Sequence, residues 1–270
     1  MHTLRSGELT VELLDPNDDR ERMGARYCTA GYIFQVHHAE RGPLLSGPQY
    51  PDAFSWFDGQ GIPDTFHRAP LPVAGKAGEV VVPGVGLCTA DGQTVLEFAE
   101  WERSSWSSGF QWSTEQRAAE SVIGLSRTVS LLGRTLRSVT RLENRARGFV
   151  PVSWYPHPFF PHPADDELCR FSIPVSFADT DFFSIGADQS IYRVGWPWSG
   201  GGITAVDHDA RDHFSVLQRH PALGTVSAVF GYVPSYTMIY GNRNCFSFEP
   251  YFERTLGPGQ STEWYVDYVF

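Results

Sequence analysis

Apolar and polar residues alternate with period two along much of this chain, the pattern of strands that bury one face. Phe171, Ile173, Val175 and Phe177 are separated by small or polar residues, as expected of a half-buried strand. Leu96 and Phe98 alternate with Val95, Glu97 and Ala99. Trp264, Val266, Tyr268 and Phe270 alternate with Tyr265, Asp267 and Val269 in a strand that runs to the last residue. Residues 121–132 and 135–143 read as two strands, with Gly133-Arg134 as the hairpin turn between them. Residues 225–232 and 235–241 read as a second hairpin, broken at Val233-Pro234. Helical signal is thin. The charged stretch Asp15 to Arg26 has no apolar stripe and reads as a loop with at most one turn. The Pro- and Gly-rich stretch from Pro43 to Gly86 is long with few clear strands, and such loops often carry binding residues.

Composition agrees with an all-β chain. Aromatic residues make up 14% of the 270, and the 26 glycines and 19 prolines supply tight turns. Sandwiches and barrels of this length are often one unit, and nothing in composition marks a domain boundary. The net charge of −10 disfavours nucleic acid as a partner, although a local arginine cluster could overrule the average. Cys28, Cys88, Cys169 and Cys245 form no CxxC pair, so neither a thiol-redox motif nor a zinc knuckle is expected. The N-terminus lacks the apolar core of a signal peptide, and no apolar run is long enough to span a membrane as a helix. A reduced, cytoplasmic setting without membrane association is the expectation.

Three segments could carry chemistry. Trp154-Tyr155-Pro156-His157-Pro158-Phe159-Phe160-Pro161-His162 is stiffened by three prolines, so its rings and imidazoles are held in place at a loop or strand end. That rigidity suits a general acid; it equally suits a braced core loop whose histidines bond to backbone. In Phe246-Ser247-Phe248-Glu249-Pro250-Tyr251-Phe252 a carboxylate sits among aromatics, where desolvation would raise its pKa toward the range of a base. The alternative is a strand-end glutamate pointing to water. The polar run from Asp207 to Phe214 matches no standard metal spacing. The arginines 134, 137, 141, 145 and 147 read as a solvated strand face. No nucleophile elbow, Walker A loop, dinucleotide fingerprint, HExxH or EF-hand motif is present.

Taken in order, these segments resemble the galactose mutarotase-like (aldose 1-epimerase) superfamily. The matching residues are Leu142-Glu143-Asn144, then His157-Pro158-Phe159-Phe160, then loosely Asp212-His213-Phe214, then Phe248-Glu249-Pro250, and Pro258-Gly259 before the last strand. They cover residues 120 to 270, a little over half of the chain. The N-terminal half departs from the pattern: where typical members carry a His-Gly pair, Gly84-Val85-Gly86 stands here, which places the chain in a divergent branch. The resemblance implies an antiparallel β-supersandwich, one carbohydrate-binding domain over residues 1–270, as monomer or homodimer. It implies acid/base interconversion of sugar anomers with no metal or redox cofactor. On that resemblance Glu249 is the base and His157 the acid. Asp212 would accept hydrogen bonds from sugar hydroxyls. Trp154, Tyr155 or a tryptophan of the 196–198 loop would offer an apolar face. His67 and Arg68 would replace the usual imidazole and guanidinium. A sugar-binding module without turnover, or another isomerase or lyase chemistry on the same fold, are the alternatives.

Overall fold

Gly133 adopts φ +59°, the left-handed conformation that a two-residue hairpin turn requires, and closes Ser121–Leu132 onto Thr135–Asn144 with Leu132 opposite Thr135. In the computed structural model, which describes residues 1–118 and 121–270, this hairpin lies in a ten-stranded antiparallel sheet. The C-terminal strand Ser261–Val269 lies in the middle of that sheet, paired to Thr135–Asn144 on one side and Gly224–Phe230 on the other. Trp264, Val266, Tyr268 and Phe270 all point into the core, as their spacing predicts.

A five-stranded sheet packs against the larger one. Its order is Gly202–Val206, Tyr236–Gly241, Phe246–Leu256, Val150–Pro156 and Asp64–Thr65, all antiparallel. The two layers meet through aromatic rings. Phe252 stacks on Trp264 at 4.3 Å between centroids, and Trp154 meets the same indole edge-on at 5.4 Å. The architecture is a large antiparallel β-supersandwich. Two smaller four-stranded sheets, both from the N-terminal 98 residues, complete it.

Three sequence expectations are corrected. Residues 171–177 keep the alternating burial, but the strand ends at Phe171; Ser172 N still donates to Ser215 O, Pro174 has no N–H to donate, and beyond it Ser176 makes an isolated bridge to Asp207. Gly224–Phe230 and Tyr236–Gly241 are not a hairpin. Around Pro234 the chain leaves the ten-stranded sheet and enters the five-stranded one, so the two strands pair with different partners. In Val95–Phe98, Leu96 is half exposed rather than buried, because the strand sits at the edge of its small sheet and its register shifts opposite Cys88. The stretch after Asp15 forms one 3₁₀ turn, Arg20–Arg22.

The four cysteines are buried and unpaired. Among the described residues no helix is long and apolar enough to cross a membrane, which leaves strand-based spanning unaddressed.

Candidate active site

The outer face of the five-stranded sheet forms the floor of a cavity of about 650 Å³. Strand parity decides which side chains reach it, since successive residues point to opposite faces. Along Phe246–Leu256 the residues Phe246, Phe248 and Phe252 enter the core between the sheets, so Ser247, Glu249 and Tyr251 face the other way. Along Val150–Pro156, Trp154 enters the core and Tyr155 faces the cavity. Along Tyr236–Gly241, Tyr240 faces the cavity and Met238 lies opposite Glu249 in register.

Two prolines open the sheet at this point. Pairing between Val150–Pro156 and Phe246–Leu256 stops at Trp154 opposite Phe252. Two steps further the register would set Pro156 against Pro250, and neither has an N–H to give. The chain instead pairs with Asp64–Thr65, and backbone bonds from His157 N to Pro63 O and from Phe159 N to Gly61 O, both 2.8 Å, carry it onward. His157 is thereby set beside Glu249, with Nε2 3.3 Å from Oε1. Its Nδ1 lies 3.0 Å from Ser247 Oγ, and Phe159 stacks on its ring at 4.3 Å.

The electrostatics follow from burial. Desolvation pushes the Glu249 carboxyl up to about 7, although Arg26, Arg68 and the Tyr251 hydroxyl each favour the carboxylate. Burial first, then the Arg26 guanidinium and the neighbouring His67 imidazole, hold His157 well below the usual imidazole value, so its ring is neutral at pH 7. Tyr251 donates toward Glu249 Oε2 at 3.5 Å. Its ring is stacked between Tyr155 at 4.2 Å and Tyr236 at 4.1 Å. Arg68 covers the Tyr251 ring at 4.9 Å and donates to the Tyr236 hydroxyl at 3.1 Å.

The walls come from the N-terminal half. Arg26, half-buried, donates to Phe57 O at 2.6 Å. Asp58, His67, Arg68 and the Asp91 turn complete them. A wider depression of about 860 Å³ lies over the outer strands of the ten-stranded sheet. Arg145 there pairs with Glu115 and Glu143 at 3.0 Å each.

No protein-family model and no curated protein sequence matches the chain. Solved structures do. A galactose mutarotase related enzyme from Lactobacillus acidophilus superposes with a TM-score of 0.64 at 13% identity, over 99% of this chain and 96% of that one. A galactose mutarotase-like protein from Lactobacillus casei gives 0.61 at 11% identity, over 100% and 99%. The GalM/aldose epimerase homologue from C. elegans gives 0.55 at 10% identity, over 99% and 97%. The fold is galactose mutarotase-like. Identities of this size show a shared course of the backbone; the side-chain roles rest on the geometry of this chain.

Within the galactose mutarotase-like fold, His157, Glu249, Tyr155, His67 and Arg68 line one cavity. Two of the expected binding residues lie elsewhere. Trp154 is one position from Tyr155, and strand parity puts it in the core against Tyr232 and Trp264. Asp212 sits in an exposed loop, its side chain 85% accessible and paired with His213 at 2.7 Å. The loop tryptophans are also outside: Trp198 is buried against Phe182 and Phe183, and Trp196 lies under Arg193. Gly84-Val85-Gly86 is a packed turn, where a Cβ on Gly84 would meet Cys28 Sγ at 2.5 Å. The imidazole reaching the cavity from the N-terminal half is His67, its Nδ1 2.9 Å from Thr65 Oγ1.

Sequence reasoning missed Arg26, Asp58, Tyr240 and Tyr251 as lining groups. Tyr251 was readable, being two residues from Glu249 on one strand and therefore on its face. Arg26 and Asp58 sit in irregular loops and carry no periodic signal. Also missed was the pair Arg127–Asp64, wholly buried between the sheets, with Arg127 reaching Ser138 Oγ at 3.1 Å. Among the described residues no three or more His, Cys, Asp or Glu side chains are grouped to hold a metal.

Proposed function

We propose that this protein interconverts the α and β anomers of a sugar by acid/base catalysis, as an aldose 1-epimerase. The observation that carries the reading is the buried contact of Glu249 and His157 on the floor of an open cavity: a carboxyl whose pKa is raised to about 7 by burial beside an imidazole kept neutral.

The chemistry needs one proton removed and one delivered. The Glu249 carboxylate takes the proton of the C1 hydroxyl, the C1–O5 bond breaks, and O5 receives a proton. With Ser247 donating to Nδ1, the neutral His157 ring carries its proton on Nε2, on the side of Glu249. Nε2–H then donates to the ring oxygen. Glu249, now protonated, stands 3.3 Å from the same nitrogen and can return the proton across that gap. Rotation about C1–C2 and the reverse steps give the other anomer. Tyr155 and Tyr240 offer aromatic surface to the C–H face of the sugar, and Arg26, His67 and Arg68 offer donors to its hydroxyls.

Saturation-transfer proton NMR on free aldoses tests this directly. Saturating the C1 proton of one anomer diminishes that of the other when the intact protein is present. The transfer falls to the uncatalysed level with Glu249→Gln. A protein that leaves exchange of every aldose at the uncatalysed level, while still binding sugar, is a sugar-binding module.

A further inference from the structure

Pro63, Asp64 and Thr65 hold several of the groups that face the cavity. Pro63 O accepts the His157 N–H at 2.8 Å, and Asp64 and Thr65 pair with Pro156 and Tyr155. Asp64 O accepts the Cys28 N–H at 2.8 Å, and the Thr65 hydroxyl donates to Arg26 O at 2.5 Å. The same hydroxyl lies 2.9 Å from His67 Nδ1. His157, Tyr155, Arg26 and His67 all take their places from this short stretch of chain.

A side chain of the other sheet grips that stretch. Arg127, on Ser121–Leu132 of the ten-stranded sheet, reaches across the core and donates from Nη2 to Asp64 Oδ2. The same nitrogen donates to Ser138 Oγ at 3.1 Å on the neighbouring strand, and Nε reaches Ala30 O at 3.4 Å. Gly31, at φ +71°, leaves room for the guanidinium: a Cβ there would stand 3.3 Å from Arg127 Nε. Both partners are buried, and neither lines the cavity.

Stability alone is a poor reason for such a pair. Taking two charges out of water offsets much of what their attraction returns, and apolar residues of similar bulk often do as well or better. An apolar contact, however, has no preferred direction. A charge-assisted hydrogen bond does, because it weakens steeply as its distance and angle change. It fixes where Asp64 stands, and the residue before Asp64 is the acceptor for His157. The His157 ring in turn must keep Nε2 near Glu249 Oε1 and Nδ1 near Ser247 Oγ. A misplacement of about 1 Å at a reacting group can cost about a hundredfold in rate.

We infer that Arg127 and Asp64 are positioning residues: their contact across the core sets the place of the His157 ring against Glu249 and Ser247. For rates, their role deepens the epimerase reading and rests on it; the orientation of the ring is independent of turnover.

The test reads the ring directly. The full chain as wild type, as Arg127→Leu/Asp64→Asn and as Arg127→Lys is compared by long-range proton–nitrogen correlation spectra of the histidine rings at pH 7. His157→Asn assigns the resonances, and urea unfolding establishes that each variant is folded. The double variant removes the contact without stranding a charge. Arg127→Lys keeps it, because a single nitrogen meets Asp64 and a lysine ammonium supplies one. Wild type and Arg127→Lys show the His157 proton on Nε2. In the double variant the two ring nitrogens of His157 move toward an averaged shift, while His220, held through Nε2 by Leu44 O at 2.8 Å, is unchanged. On free aldoses the double variant loses about tenfold or more in kcat and keeps KM within about threefold. A wild-type His157 spectrum in the double variant overturns the inference. So does an equal disturbance of His157 and His220, the mark of general loosening, and so does a change in Arg127→Lys as large as in the double variant. If the double variant does not fold, Asp64→Asn alone is read in the same spectra against the same outcomes. A wild type that leaves aldose exchange at the uncatalysed level ends the epimerase reading and leaves the result on the ring standing.

Discussion

Nε2 of His157 lies 3.3 Å from Oε1 of Glu249, and each side chain is only 4% accessible. Placed this close, an acid and a base act as one unit, and burial sets the pH range in which they titrate. In kinetics on any responsive aldose, Glu249→Gln and His157→Asn each lower kcat by about 10²–10⁴-fold. For the wild type, kcat/KM rises with pH through a midpoint near 7, because the base must be ionised and its carboxyl is raised to about 7. A flat profile between pH 5.5 and 8.5 would remove Glu249 from the role of base.

The same raised carboxyl has a signature in stability. In the unfolded chain Glu249 titrates near its ordinary 4.5, and in the fold near 7. The folded state therefore binds this proton more tightly. Its stabilising contribution is full below pH about 4.5 and is lost as pH rises through about 7. Glu249→Gln removes the ionisation. Urea unfolding should show the variant gaining on wild type between pH 4.5 and 7, by a total on the order of 3 kcal/mol. A gap that stays constant over this interval contradicts the assignment.

Tyr251 tunes the base. Its hydroxyl, 3.5 Å from Glu249 Oε2, favours the carboxylate. Tyr251→Phe keeps the stacked ring between Tyr155 and Tyr236 and deletes that hydrogen bond. The midpoint of the pH–rate profile then moves to higher pH, and activity falls more at pH 6.5 than at pH 8.5. A uniform loss at both values would indicate a role in packing alone.

Arg127 and Asp64 form a sealed ion pair behind the site, and Asp64 belongs to the short strand that pairs with Tyr155 and Pro156. Arg127→Leu leaves a carboxylate buried without its partner, and unfolding free energy drops by about 3–5 kcal/mol. Adding Asp64→Asn to that variant restores more than half of the loss, measured by the same urea titration.

Asp212 gives the contrasting case. Asp212 faces water next to His213, so Asp212→Ala leaves exchange rates within about twofold of wild type. A tenfold loss would mean that the loop closes over the cavity during turnover.

Much of this is legible in the sequence. Period-two burial identified the C-terminal strand, and Gly133 marked the 121–144 hairpin, because a half-buried strand and a positive-φ turn leave local marks. The prolines around His157 and the aromatics around Glu249 likewise announced fixed groups in apolar surroundings. Other features depend on contacts between distant parts of the chain. Nothing local shows that Gly224–Phe230 and Tyr236–Gly241 belong to different sheets, since each strand alone looks ready to pair with its neighbour. Nothing local separates Trp154 from Tyr155, because parity says only that they face opposite ways and not which face meets the second sheet. Arg26 and Asp58 were invisible for the same reason: loops carry no periodicity, and their place beside Glu249 is set by the sandwich that brings those loops over it. The sequence by itself determined strands, turns and the chemical character of two segments, all governed by neighbours along the chain. The tertiary structure alone decided which face is core, which residues meet, and how far burial shifts their protons, because those depend on what the rest of the molecule excludes from water.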